Sequence, residues 1–158
     1  MISEKIEKYR NKDKNNPKYL FHGSPHKLDK LVPRQSHDSS NEEINIDNAV
    51  FMFPIPEKAS AYSFKDTIKK RSEGLNWDFY IPNDDNDEII MYMKNVDIDE
   101  DITGYIYVIE MSPDYVKDPN TSLQYKSHKE IIPIDVIEVK YKDFAKYYQV
   151  DNKQKKKR

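Results

Sequence analysis

Apolar positions in this chain gather in short runs separated by long polar stretches, and the period within each run assigns its element. From Gly104 to Met111, Tyr105, Tyr107, Ile109 and Met111 alternate with Ile106, Val108 and Glu110. Both faces are largely apolar, which predicts a central strand ended by Ser112-Pro113-Asp114. Tyr19-Leu20-Phe21-His22, closed by Gly23 and Pro25, predicts a buried strand that runs into a turn with His22 at its end. Ala49 to Phe53 predicts a second strand, ended by Pro54 and Pro56. The period then turns helical from Glu57 to about Arg71, where Ala61, Phe64 and Ile68 share one face. Pro56 and Glu57 fall in the first turn and Lys69, Lys70 and Arg71 in the last, as the helix dipole favours. Tyr62 lies beside the buried face, near the N-terminal end.

Weaker patterns fill the rest. Residues 3–10 predict a short peripheral helix with Ser3 as cap and Ile2, Ile6 and Tyr9 on one face. Residues 27–48 read as a polar surface loop, and Ile89 to Met93 fits a strand and a buried helical turn equally. Lys129 to Ile132 and Ile134 to Val139 are two further β-type runs around Pro133, while Phe144 to Val150 fits either a sheet edge or a short helix. The sum is a single α+β domain, mostly antiparallel, with few helices. Its expected boundaries are an N-terminal helix and extension over 1–17, the domain over 18–150, and a disordered basic tail over 151–158.

Composition narrows the classes. At 158 residues the chain suits one domain, and a charged fraction of 34% against a hydrophobic fraction of 37% describes a soluble protein with a modest core. Twelve Tyr supply much of the apolar area while keeping polar tips. No apolar run is long enough to span a membrane, and Met1-Ile2-Ser3-Glu4-Lys5 lacks the apolar segment of a secretory signal. The absence of Cys removes disulfides, thiolate nucleophiles and Cys-ligated zinc, and is compatible with a reducing cytoplasmic setting. The net charge is only −2, yet residues 84–88 and 97–101 are acidic and the chain ends Lys153-Gln154-Lys155-Lys156-Lys157-Arg158. The acidic stretches read as loops, without the glycine and glutamate spacing of a calcium loop. The tail reads as a solvated end, with weak contact to a polyanion as its functional alternative.

Four pieces carry candidate chemistry: Phe21-His22-Gly23-Ser24, Val50-Phe51, Ala59-Ser60-Ala61-Tyr62 and Lys129-Glu130-Ile131-Ile132-Pro133. A His-Gly pair can donate and accept hydrogen bonds at an amide or ribose edge. Aromatic faces can sandwich a flat cationic ring, and a carboxylate can stabilise a developing cation. In this order the pieces resemble the His-Tyr-Glu branch of the ADP-ribosyltransferase superfamily, which includes the poly(ADP-ribose) polymerase catalytic domain and diphtheria toxin. In that branch a strand ends in His-Gly-Ser or His-Gly-Thr, a second carries a Gly-Ile-Tyr-Phe-Ala-like stretch, a helix begins with a Ser-x-x-Tyr-like stretch, and a late strand supplies a catalytic Glu. Here Ala49-Val50-Phe51-Met52-Phe53 answers to the second element and Lys58 to Tyr62 to the third, and the likeness covers roughly residues 18–140.

The resemblance implies an ADP-ribosyltransferase-like fold with a split sheet, NAD as substrate, and an unidentified protein or nucleic-acid acceptor. His22 would hydrogen-bond the adenosine-side ribose, the Gly23 backbone would take the nicotinamide amide, and Ser24 would be a nearby donor. Phe51 and Tyr62 would bracket the nicotinamide ring. Glu130 would bind the nicotinamide ribose hydroxyl and stabilise the oxocarbenium-like charge as nicotinamide leaves. Phe51 stands where the family usually has Tyr, Ala49 replaces its glycine, and His128 occupies the position where arginine-modifying relatives carry Glu, so arginine transfer is not suggested.

Each residue also has a plainer reading. Taken alone, His22 is a strand-end histidine satisfied by backbone, Phe51 and Tyr62 are core rings, and Glu130 is an edge carboxylate beside Lys129, with Glu110 and Glu138 as rivals. Trp77 and Tyr80 read as core. His26, His37 and His128 have no ligand spacing with carboxylates, so no metal site is expected. Gly23, Gly74 and Gly104 form no phosphate-cradling loop. Two rival functions accompany the enzyme reading: a catalytically silent binder of NAD, ADP-ribose or a related nucleotide, and RNA 2′-phosphotransferase chemistry. The latter wants several basic residues, and the chain's arginines are only Arg10, Arg34, Arg71 and Arg158.

Overall fold

The computed structural model describes residues 3–35, 48–81, 91–119 and 123–152. Most of the polar loop expected over 27–48, the acidic stretch 84–88 and the basic tail from Lys153 lie outside them. The elements in chain order are α1 (Glu4–Glu7), β1 (Tyr19–Ser24), β2 (Arg34–Gln35), β3 (Asn48–Met52), α2 (Pro56–Arg71) and β4 (Asp78–Tyr80). There follow β5 (Met91–Lys94), β6 (Thr103–Glu110), β7 (Val116–Lys117), β8 (Tyr125–Ser127), β9 (Asp135–Lys140) and β10 (Tyr148–Asp151). Sheets run β1-β6-β9, β2-β3-β8-β7 and β10-β5-β4, antiparallel except where β10 meets β5. The fold is α+β and mostly antiparallel. β6 is central to its sheet, as its two apolar faces require.

The β1-β6-β9 sheet separates two hydrophobic clusters. Phe21, Ile106, Val108, Ile137 and Val139 face the same cluster as Phe64 and Ile68 of α2, Met91 and Met93 of β5, and Phe144. On the opposite face Leu20, Tyr107 and Ile109 pack with Val50 and Met52 of β3, Tyr125 of β8, Leu31 and Ile131. Period-two alternation therefore puts Tyr19, Phe21 and Gly23 toward α2 and Leu20, His22 and Ser24 on the other face.

Glycine is required where α2 crosses the sheet. A Cβ on Gly23 would run into the Ala59 carbonyl oxygen and come within 2.8 Å of the Ser63 amide nitrogen. One on Gly104 would meet the Ser63 carbonyl oxygen and lie 2.7 Å from Ser63 Cβ. Ser63 Oγ donates to the Tyr105 carbonyl at 2.8 Å, so the small residues bring the helix close enough to hydrogen-bond the strand.

The first turn of α2 is held from the N-terminus of the chain. The Arg10 guanidinium donates to both carboxylate oxygens of buried Glu57, at 2.9 and 2.6 Å, and also to Glu7, at 2.7 Å. Hydrogen bonds donated to the carboxylates of Glu57 and Glu7 hold Arg10 firmly charged, and the bond that Glu7 accepts lowers its carboxyl below the usual range. Farther along, Ser60 Oγ donates to the Glu57 carbonyl and accepts from the Tyr148 hydroxyl at 2.8 Å.

Several local expectations change. Lys129 to Ile132 is not a strand: Ser127 Oγ accepts from the Lys129 N–H and donates to its carbonyl, which closes a turn, and only Ile131 pairs, with Leu31. Pro133 has no N–H with which to continue a ladder. The stretch from Phe144 becomes a single 3-10 turn, Ala145–Tyr147, and then β10. Met91 to Met93 is strand. Trp77 packs against the core, but Tyr80 is 58% exposed, because the alternation of β4 turns it outward to stack on Tyr92 with centroids 6.1 Å apart.

Gly104→Ala is expected to cost about 2 kcal/mol, the scale of overpacking a tight contact. Gly74→Ala, where φ is +89° and the surroundings are open, should cost only about 1 kcal/mol through backbone strain. Urea unfolding that ranks the two the other way would contradict the close approach of α2.

Burial pushes the Tyr141 phenol up to about 12, with a smaller contribution from Glu100, and pushes Tyr148 higher still. Unfolded tyrosines ionise near about pH 10, so this stabilisation is complete below that pH and is lost as pH rises toward the folded values. Stability should therefore fall between about pH 10 and 12, and Tyr141→Phe should flatten the fall. A slope unchanged in that variant would contradict the role of its burial.

Candidate functional site

Backbone pairing between β1 and the β3 side is limited to one bridge beside the predicted residues. Phe21 and Phe53 exchange both backbone hydrogen bonds, at 2.7 and 2.9 Å, and this is the one backbone pair joining these edges among the described residues. Two residues on, the pairing stops. The Phe51 carbonyl is taken instead by the His22 side chain, whose Nδ1 lies 2.7 Å away. Because backbone groups alternate between the two edges of a strand, the N–H and C=O of buried Gly23 point to the same edge as those of Phe21, toward Phe51.

A carbonyl can only accept, so His22 Nδ1 carries the hydrogen and neutral His22 has its ring acceptor at Nε2. The imidazole is half-buried and sits 6.1 Å from the ring of Tyr107, its register partner on β6. Tyr107 is fully buried. Its hydroxyl donates to the His26 carbonyl at 2.6 Å and accepts from the Leu28 N–H, so it pins the chain that leaves β1. Burial raises the Tyr107 phenol, which keeps it a neutral donor. Ser24 is buried, and its Oγ accepts from the His26 N–H at 3.1 Å. That bond ties the hydroxyl into the same turn.

Phe51 and Tyr62 are both half-buried, on β3 and α2 respectively. The ring that stacks on Tyr62 is Phe53, at 5.6 Å and 16° from parallel. Phe53 and Phe51 share one side of their strand by alternation, opposite Val50 and Met52. Phe53 thus joins Tyr62 in a stacked pair, with Phe51 on the same side of the chain two residues before Phe53.

Glu130 lies in the turn before Ile131, not on a strand. Leu31 and Ile131 exchange backbone hydrogen bonds at 2.8 and 2.9 Å, which ties the Glu130 segment to the chain leaving β1. Glu130 Oε2 is 3.1 Å from Lys30 Nζ, and both side chains are 55% exposed. His22, Gly23, Ser24 and Phe51 are therefore brought together directly, Tyr62 through Phe53, and Glu130 only through the Leu31–Ile131 bridge.

Sequence reasoning missed Phe53, Tyr107 and Lys30. Phe53 and Tyr107 had a visible signal, as rings two residues from Phe51 and in the aliphatic centre of the clearest strand. Lys30 had none. Among the described residues no group of three or more His, Asp and Glu is placed to hold a metal, and no helix is long and apolar enough to cross a membrane. A cleft of about 430 Å³ lies elsewhere, lined by Arg10 to Asn15, Pro54, Ile55, Glu57 and Tyr147, and none of the predicted site residues borders it. No protein-family model matches the chain, and no curated protein or solved structure is found to match it either.

The Nδ1–H tautomer of His22 is directly testable. Nitrogen NMR of the neutral ring should find the proton on Nδ1, and His22→Ala should cost about 1 kcal/mol by freeing the Phe51 carbonyl. A proton on Nε2, with stability unchanged in the variant, would contradict the junction.

Proposed function

We propose that the chain is an NAD-dependent ADP-ribosyltransferase of the His-Tyr-Glu type, which cleaves the nicotinamide–ribose bond and passes ADP-ribose to a macromolecular acceptor. The observation that carries this reading is the junction between β1 and β3, where His22 Nδ1 is held by the Phe51 carbonyl at 2.7 Å. With Nδ1 donating to that carbonyl, Nε2 is the acceptor nitrogen of the neutral ring, the kind of group that a ribose hydroxyl would donate to. The Gly23 peptide offers one donor and one acceptor along the same edge, the pair that a primary carboxamide such as that of nicotinamide requires. The half-buried rings of Phe51 and Tyr62 would supply aromatic faces for a cationic pyridinium.

In this reading His22 and Gly23 orient the substrate, and Glu130 acts on the developing charge. As the bond from the ribose anomeric carbon to the nicotinamide nitrogen breaks, nicotinamide leaves with the bonding electron pair. The positive charge spreads over the ribose ring oxygen and anomeric carbon, and a carboxylate bound to the adjacent hydroxyl stabilises it. The acceptor nucleophile then bonds to that carbon and loses its proton. A catalytically silent nucleotide binder is the second reading, favoured by one observation: the Glu130 carboxylate is exposed and already faces the Lys30 ammonium.

Glu130→Gln separates the two. It should leave NAD affinity almost unchanged while slowing nicotinamide release about a hundredfold, or about 3 kcal/mol of transition-state stabilisation. Wild-type protein that binds NAD but releases no nicotinamide with protein and nucleic-acid acceptors present would overturn the enzyme and leave the binder.

A further inference from the structure

The Lys30–Glu130 pair is placed so that its two members cannot drift far apart. Leu31 and Ile131, the next residues along each segment, are clamped by reciprocal backbone hydrogen bonds and buried to 1% and 5% exposure. In an antiparallel bridge of this kind the residues flanking the buried pair point to the opposite, outer side, where Lys30 and Glu130 meet at 3.1 Å. Among the described residues, the Lys30 ammonium is the charged partner of the Glu130 carboxylate. The carboxylate that would stabilise a developing cation thus has its charge neutralised by a flexible ammonium, in a solvent-exposed contact that is weakly held.

We infer that Lys30 is a diphosphate-binding residue of the proposed site, which pairs with Glu130 in the free protein and transfers to the diphosphate of the bound dinucleotide. The inference rests on the reading of Glu130 given above. In NAD the hydroxyl that Glu130 would bind and the nearest phosphate are separated by the breadth of one ribose, within the swing of a lysine side chain anchored beside that carboxylate. A diphosphate carries two negative charges against one on Glu130 and offers more acceptor oxygens, so it draws the ammonium away. Two consequences follow together: the dinucleotide gains a cation, and Glu130 regains full negative charge where the ribose cation develops. Lys30 therefore makes the site selective for a ligand with phosphates over its phosphate-free fragment.

The test compares NAD with nicotinamide riboside by calorimetry on wild type, Lys30→Gln and Lys30→Arg, with circular dichroism as the check on folding. Lys30→Gln should weaken NAD binding about tenfold, the scale of one lost charge-assisted contact. It should leave nicotinamide riboside binding unchanged or slightly stronger, while Lys30→Arg keeps most of the NAD affinity. Wild type that binds both ligands, with Lys30→Gln weakening both equally or neither, would overturn the exchange and spare the site. Wild type that binds neither ligand would overturn the site and the exchange together.

Discussion

The close approach of α2 to the β1-β6-β9 sheet is the constraint on which the rest of the molecule depends. Gly23 and Gly104 lie against Ser63 with no room for a methyl group, and the Ser63 hydroxyl bonds the β6 backbone. This contact fixes which face of β1 meets the helix. Phe21 and Gly23 must point to α2, so His22 must point away, toward Tyr107 and the edge of β3. A one-residue slip would place the imidazole under the helix and drive a side chain into Ser63. The pair of exposed Arg10 with buried Glu57 holds the first turn of the helix against the chain's N-terminal segment, and with it the stretch of α2 that carries Tyr62.

Given that face, the end of the backbone pairing beside Gly23 follows from hydrogen-bond supply. The Phe51 carbonyl would continue the pairing begun at Phe21 and Phe53, but His22 takes it with a side chain, so the pairing does not extend to Gly23. Residues that combine a packing duty with a polar edge can serve a ligand without a dedicated loop. The proposed chemistry uses this economy, since the groups that orient the substrate are those that end the strand pairing. The carboxylate is tied in separately, through a single backbone bridge.

The strong periodic signals in the sequence were reliable in physical terms. Strands β1, β3, β6 and β9 and helix α2 each bury several apolar residues in a fixed rhythm, and their faces can be read from it. The two- and three-residue strands β2, β4, β7 and β8 were not legible, because so few residues carry no period. The turn at Lys129 was hidden for another reason: β-branched Ile131 and Ile132 suggest a strand, and the side-chain bonds of Ser127 override them. At the site, the gathering of His22, Gly23 and Phe51 was foreshadowed by motif order. The stacking of Tyr62 on Phe53 and the pairing of Glu130 with Lys30 depend on rotamers and loop paths that no local pattern encodes.

A crystal structure of the protein grown with NAD tests the central claim most directly. The account requires density for the nicotinamide carboxamide against the Gly23 peptide, with its ring beside Phe51 and Tyr62 and a ribose hydroxyl at His22 Nε2. A dinucleotide lodged in the cleft between Arg10 and Tyr147, with the junction between β1 and β3 empty, would contradict it.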